Sequence, residues 1–435
     1  MVTRIDTVVV GAGHAGLAVS RLLTSAGRDH VVLDRGRVAE SWRTERWESL
    51  RLLGPSWMVR LPGWRYDGPE RDGYLTLSQL VGHLEEYAAG LPVETGRTVQ
   101  SVDAVGDGYR VVTPGRTWLA RHVVVATGPS GRPAMPAGLL GLDPGVEVIS
   151  PLRYRRPDAL APGGVLVVGA SSSGVQIAEE LAVAGRRVVL AVGRHTRMPR
   201  RYRGLDAYWW LERTGRLSRT IDTMPDRAAA RREASYQIVG RAPGDPRTPD
   251  LDLGALQALG VELVGRFHEA EGHRIRLGNA GGLAATVGLA DRRMHRFLDA
   301  ADRRVHEDTL RGTIEEWRTA PEGPSQRPAP VRVGPTREAI DLRAEGITTV
   351  IVATGYRPHH PWLRVPVTDP DGTIRQVRGA TPAPGLYVVG QRFQHRRDSA
   401  TIDGARHGAR DVVSHLCADD VRGLRAALFE MEETG

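Results

Sequence analysis

The feature that most constrains this chain is a phrase it uses twice. Residues 7–10 are a short apolar run, followed by Gly11-Ala12-Gly13-His14-Ala15-Gly16. A helical stretch over 17–26 comes next, then a second apolar run over 31–33 that ends on Asp34. Residues 165–168 open the same way into Gly169-Ala170-Ser171-Ser172-Ser173-Gly174, a helical stretch over 175–184 and a strand over 187–192. In such a unit one glycine makes a tight turn, one lets the backbone approach a pyrophosphate, and one lets helix pack on strand. The helix start then offers free N–H groups and the positive end of its dipole to phosphate. A lone glycine motif is weak evidence, but strand, turn, helix and strand in order is strong. The expected fold class is α/β, with two dinucleotide-binding, Rossmann-like folds.

The two copies end differently. Asp34 suits the hydroxyls of a ribose, whereas Gly193-Arg194-His195-Thr196-Arg197 follows the second copy. An acid there would repel a 2′-phosphate and arginine welcomes one. The first site is therefore expected to take a nucleotide with free ribose hydroxyls, and the second NADPH, through Arg194 and Arg197. Ser171 replaces the middle glycine of the second turn.

Each copy closes on a matching turn, Ala126-Thr127-Gly128 and Ala353-Thr354-Gly355. The second unit is the longer, and its excess falls at about 200–330. That stretch holds a Pro/Gly break at 242–246, a charged helical region over 288–317 and a Pro-rich connector over 321–330. In the first unit Thr76-Leu77-Ser78-Gln79 is a capping box opening a helix to about 89. Short strands near 98–102 and 109–112 suggest a meander. A late strand ending on Gly390 and a helix over 403–416 suggest that the chain returns to the first unit. The expected organisation is a first dinucleotide-type unit over 1–159, a second, NADPH-type unit over 160–357 with a helical insertion at about 200–330, and a return to the first unit over 358–435.

Composition removes several classes. All 59 basic residues are arginine, against 51 acids, for a formal charge of +8. The absence of lysine excludes a Schiff-base lysine and a Walker-type lysine. The arginines are scattered among acids rather than clustered with aromatics, so no nucleic-acid partner is expected. One cysteine, Cys417, makes no internal disulfide, CxxC pair or Cys-rich zinc site, and no metal is expected. No stretch reaches the ~18 apolar residues of a membrane span, and no signal-peptide pattern opens the chain; a cytoplasmic protein is expected.

Two such folds, each closed by Ala-Thr-Gly, together with Ser41-Trp42-Arg43, residues 50–62, 353–358 and 384–390, resemble the class B flavoprotein monooxygenases. That family spans flavin-containing monooxygenases, YUCCA-type enzymes, Baeyer–Villiger monooxygenases and N-hydroxylases, and the chain is most similar to small bacterial members. The resemblance implies FAD in the first fold: Gly11, Gly13, Ala15 and Gly16 around the pyrophosphate, Asp34 and Arg35 at the ribose, Trp42 and Arg43 beside the flavin, Val99 at the adenine. Thr127, Gly128, Gly390, Gln391 and the helix start at Ile402 would complete that site. It implies NADPH on Gly169, Ser171, Ser172, Ser173, Gly174, Arg194, Arg197, Thr354 and Gly355. Ser56 is the candidate catalytic residue.

The family fingerprint FxGxxxHxxx(Y/F/W) is incomplete here: Tyr154 supplies the aromatic and Ser150 stands in the histidine's place. The implied activity is NADPH-dependent transfer of one oxygen atom from O2, through a peroxyflavin, to a small organic substrate. The insertion is the expected lid, with Tyr208-Trp209-Trp210 as a pocket wall, and residues Gln391, His395, Arg396 and Arg397 follow a strand end near the flavin. His14 is expected to be a passenger in its turn. A homodimer is compatible with all of this. The alternatives are an NADPH-dependent flavin reductase or oxidase without oxygenation, and a non-catalytic nucleotide-binding sensor.

Overall fold

The computed structural model describes the 435 residues apart from 234–235, 243–244, 246, 248–249, 279–281, 312–326, 335–336 and 434–435, and gives no side chains for 419–433. Two sheets organise it, the first mixed and the second parallel. In the first, the order is Val93–Glu94, His30–Leu33, Val2–Val10, Arg116–Val125, then the antiparallel Gly108–Thr113 and Ser101–Val105. The ten-residue strand Arg116–Val125 has two kinds of neighbour. Its first half pairs antiparallel with Gly108–Thr113, and its last three residues pair parallel with Leu386–Val388. The late strand thus returns to the first sheet, as expected.

Alternation explains how this sheet is covered. Successive side chains point to opposite faces. Val9, Val32 and Val124 pack with Leu17 and Leu23 of helix His14–Ser25 and with Ala405 and Ala409 of helix Ile402–Glu433. Val8, Val10, Val31 and Val123 pack on the other face with Val111 and Trp118 of the meander. Both faces are covered, so the central strands are apolar throughout.

The second sheet is wholly parallel, in the order Glu147–Ile149, Ile347–Val352, Gly164–Val168, Val188–Ala191, Glu262–Val264. Gly164–Val168 and Val188–Ala191 are buried at every residue. An antiparallel trio, Phe267–Glu271, Arg274–Leu277 and Ala339–Asp341, flanks it. The two passages between the sheets lie side by side, with Tyr356–Arg357 paired to Arg132–Pro133.

Element boundaries differ modestly from expectation. Helix Leu77–Ala88 starts on the foreseen capping box, with Thr76 and Gln79 exchanging both bonds. The insertion's long helix is Gly282–Leu310, and the expected extension to residue 317 lies outside the described residues, as do most of the Pro-rich connector and part of the 242–246 break. Tyr208-Trp209-Trp210 is not a cavity wall. Trp210 is fully buried, donates from Nε1 to the Tyr202 carbonyl at 2.8 Å, and meets Trp209 edge-on in a core with Met198 and Phe297. A bulky ring that reaches one carbonyl partner is more stable packed than lining water.

Candidate functional site

The two glycine turns are near copies in three dimensions. Gly11 has φ +112° and Gly169 φ +111°, values that L side chains avoid. A Cβ on Gly11 would stand 2.7 Å from the Ala126 carbonyl oxygen, and one on Gly169 would stand 2.6 Å from that of Ala353. The closing turns are therefore what each first glycine packs against. A Cβ on Gly16 would collide with the Gly11 carbonyl oxygen at 1.9 Å, and one on Gly174 with that of Gly169 at 1.8 Å. These four positions are fixed by packing within the protein. Gly13 is different: a Cβ there would meet nothing within 4 Å, and Gly13 is the N-cap of helix His14–Ser25. Open space before a row of free helix N–H groups is the shape an anionic group fills.

Asp34 is positioned by the same turn. It follows strand His30–Leu33, and its Oδ2 accepts from the Ala12 amide at 2.7 Å while Oδ1 accepts from the Gly36 amide at 2.9 Å. Arg35 is exposed and paired with Glu45. Trp42 and Arg43 lie on the short helix Glu40–Thr44; Arg43 pairs with Glu85, and Trp42 sits beneath Arg46 and 6.3 Å from His14. Val99 is buried against the second face of the first sheet. Gly390 presses on the first helix, since a Cβ there would stand 2.8 Å from that of Ala15. The C-terminal return, with Gln391 beside it and Ile402 opening the last helix, is thereby brought to the first glycine turn.

His14 is more than a passenger in one respect. Its Nε2 is buried with no hydrogen-bond partner among the described residues. Burial pushes the imidazole down to about 4, so the ring is neutral near pH 7.

A cavity of about 1300 Å³ runs between the two folds. Gly128 and Gln391 line it from the first, and Gly169, Arg194, Thr354 and Gly355 from the second. Helix Ser172–Val183 begins beside it, with Ser171 as N-cap and Ser172 bonded to Gln176. Six arginines contribute to the wall: Arg194, Arg231, Arg232, Arg266, Arg357 and Arg392. The carboxylates among the described lining residues are Asp369 and Asp371.

Two expected residues have other employment. Arg197 is 4% exposed; Nε bonds Asp252 at 3.0 Å, Nη1 bonds Asp291 at 2.7 Å, and Nη2 bonds the Ala329 carbonyl at 2.8 Å. With all three nitrogens engaged in a buried cluster, Arg197 is committed to Asp252 and Asp291, and it does not line the cavity. The arginine that joins Arg194 is Arg266. They follow neighbouring strands, Val188–Ala191 and Glu262–Val264, in matching Val-Gly-Arg sequences at 192–194 and 264–266. That repeat was the signal to read. Ser56 also departs from expectation. It is 1% exposed in the turn Ser56–Met58, and its hydroxyl donates to the Gly73 carbonyl at 2.9 Å. Its proton is spent on holding the loop 56–73.

Tyr154, the remnant of the fingerprint, is fully buried and donates to Glu180 Oε2 at 2.8 Å; Ser49 donates to Oε1 at 2.7 Å. Burial raises the Glu180 carboxyl above its usual range. This trio joins the segment between the sheets to the second fold's first helix and to the 49–52 loop.

The insertion contributes to the cavity the segment around helix Arg227–Arg231 and, from its long helix, Thr286; the tryptophans do not line it. That segment is held against the C-terminal return by a ladder: Ile221 N–H to His395 O at 2.7 Å, Arg397 N–H to Arg219 O at 2.9 Å, and Asp398 N–H to Leu217 O at 3.2 Å. Arg397 pairs with Glu233 and Arg396 with Asp398, so the charges expected to reach substrate are taken up in this seam.

Comparison with known proteins fits this geometry. A family profile described as pyridine nucleotide-disulphide oxidoreductase matches residues 8–213. An uncharacterized CzcO-like oxidoreductase of Geobacillus kaustophilus is 27% identical over 94% of this chain and 99% of its own. The indole-3-pyruvate monooxygenase YUCCA1 of Oryza sativa is 26% identical over 93% and 90%. The flavin-containing monooxygenase of Stenotrophomonas maltophilia superposes with a TM-score of 0.63 at 20% identity, over 96% of this chain and 99% of that one. Along nearly its whole length the chain is similar to flavin monooxygenases. A bacillithiol disulfide reductase of Bacillus cereus shares the fold at a TM-score of 0.57 and 15% identity. These relatives carry oxidoreductase names, and what the solved structures share with this chain is the fold. Among the described residues no helix is long and apolar enough to cross a membrane, and no cluster of ligands suits a metal ion.

Proposed function

We propose that the protein is an NADPH-dependent FAD monooxygenase acting on a small organic substrate. The observation that carries this reading is the cavity: one continuous space meets Gly128 and Gln391 of one fold and Gly169, Thr354 and Gly355 of the other. Two dinucleotides seated on their turns would meet there end to end. FAD, when bound, supplies acceptance of a hydride and activation of dioxygen. The chain supplies the rest. Gly11, Gly13 and the Ala15 amide admit the pyrophosphate, and Asp34, already oriented by the Ala12 and Gly36 amides, presents its remaining lone pairs to a ribose. Arg194 and Arg266 form the fork for a 2′-phosphate. The seam between 217–221 and 395–398 ties the insertion to the return loop, and Ala228, Arg231, Gln391 and Gln394 from these two segments line the cavity; oxygen transfer needs water kept out if reduced flavin is not to be wasted as hydrogen peroxide.

Disulfide reduction, suggested by the family profile's description, is disfavoured by the single cysteine. Cys417 lies on the last helix and cannot form a CxxC pair. The test is oxygen bookkeeping with isotopically labelled dioxygen. A monooxygenase places one labelled atom in an organic product per NADPH consumed. Complete recovery of the label as hydrogen peroxide, whatever the substrate, would make the protein an oxidase instead.

A further inference from the structure

Five of the six arginines of the cavity wall fall into two groups, with Arg357 outside both. Arg194 and Arg266 stand at the ends of neighbouring strands of the second sheet, where a 2′-phosphate is expected. Arg231, Arg232 and Arg392 line the cavity from other segments, the insertion and the return loop beside Gln391. This second group is one patch. Arg392 donates to the Glu233 carbonyl, and Arg397 in the same loop reaches the Ala230 carbonyl at 3.4 Å and pairs with the Glu233 side chain. The Thr373 amide and hydroxyl hold Asp371 below the usual carboxylate range, and Arg232 and Arg231 add to this. Asp371 and its neighbour Asp369 offset part of the charge of three guanidiniums.

A dinucleotide does not account for the remainder. All the charge of NADPH is on its phosphates, and the reduced nicotinamide ring, the part that must approach the flavin end of the cavity, carries none. Guanidinium forks instead match a planar carboxylate, which they bind through two parallel charge-assisted hydrogen bonds. We infer that Arg231, Arg232 and Arg392 form a carboxylate-binding subsite, and that the oxygen acceptor is a small organic acid held by its anionic end. The inference rests on the proposed monooxygenase reading and deepens it by naming the substrate class.

The experiment uses the FAD-loaded protein saturated with NADP⁺, so that the phosphate sites are filled. Three matched pairs are titrated by calorimetry and by perturbation of the flavin spectrum: benzoate and benzamide, phenylacetate and phenylacetamide, hexanoate and hexanamide. In at least one pair the acid should bind about tenfold more tightly than its amide, the range expected for a charge-assisted hydrogen bond. The double variant Arg231→Gln/Arg232→Gln, and separately Arg392→Gln should the double variant not fold, should abolish that preference. Amide binding should stay as it was, and NADP⁺ affinity should hold within about twofold. No preference in any pair overturns the inference. So does a variant that loses NADP⁺ in place of the acid, because the arginines then serve the dinucleotide. A wild-type protein that takes up no FAD fails at an earlier step, and removes the parent reading together with this one.

Discussion

At the first turn a Cβ on Gly16 would stand 1.9 Å from the Gly11 carbonyl oxygen; at the second, a Cβ on Gly174 would stand 1.8 Å from that of Gly169. The first glycines share their φ and their contact with an alanine carbonyl. The backbones of the two cradles are thus set by the same packing. What separates them is side-chain chemistry at the rim. Asp34 leans over the first turn and takes the Ala12 amide, while the second ends in Gly193 and Arg194 with Arg266 alongside. A Cβ on Gly193 would stand 4.0 Å from Arg266 Cγ, so the two strand ends are neighbours in fact. Fold and ligand preference are therefore carried by different residues, and substitutions should separate them.

The largest effects should come from the shared backbone. Gly16→Ala and Gly174→Ala each force a methyl into a carbonyl oxygen and should lose about 3 kcal/mol or more locally. Their readouts should differ: Gly16→Ala should purify without flavin, whereas Gly174→Ala should keep its colour and lose reduction by NADPH. Identical losses in the two variants would break the comparison. Gly13→Ala sharpens it, because the protein itself leaves room there. The apoprotein should unfold at its normal temperature and bind FAD more weakly.

Next in size is Arg197. Arg197→Gln leaves Asp252 and Asp291 in a buried site without their cation, which should destabilise the fold by about 3–5 kcal/mol. Thermal unfolding should report that loss, with NADPH affinity in the surviving folded fraction held within about twofold. Arg194→Gln/Arg266→Gln should do the reverse. Its unfolding temperature should hardly move, and its NADPH affinity should fall by about 10- to 100-fold with NADH unaffected. Equal losses for both cofactors would remove the 2′-phosphate assignment.

A smaller effect concerns pH. Unfolded, the His14 imidazole takes its proton near the ordinary 6.5; folded, it does so only at about 4. The unfolded chain therefore binds more protons between these values. His14's contribution is intact above pH 6.5 and is lost as the pH falls from there toward 4. His14→Gln should flatten the unfolding midpoint across that window, leaving the share due to His360, which burial also pushes down to about 4, and to His30, His195 and His407, which burial lowers too. An unchanged slope would mean that the ring is not buried as described.

The glycine turns, the capping box and the late return strand were legible in the sequence because each is set by residues close together in the chain. The roles of Arg197, Ser56 and Trp210 were not. Arg197 follows a strand end as Arg194 does, but its partners Asp252 and Asp291 come 55 and 94 residues later, and only the tertiary fold brings them to it. Ser56 was misread because its acceptor, the Gly73 carbonyl, is a backbone atom on the far side of a loop. The tryptophans looked like a wall, and packing made them core. Arg266 was legible in principle, through the repeated Val-Gly-Arg, but becomes meaningful only once the two strands are known to be adjacent.

The most direct test is to supply FAD to the protein, remove oxygen, and follow the flavin absorbance after adding NADPH. The account predicts a yellow protein whose visible band bleaches at a rate that saturates with NADPH. A protein that stays colourless, or a bound flavin that NADPH leaves oxidised, would contradict it.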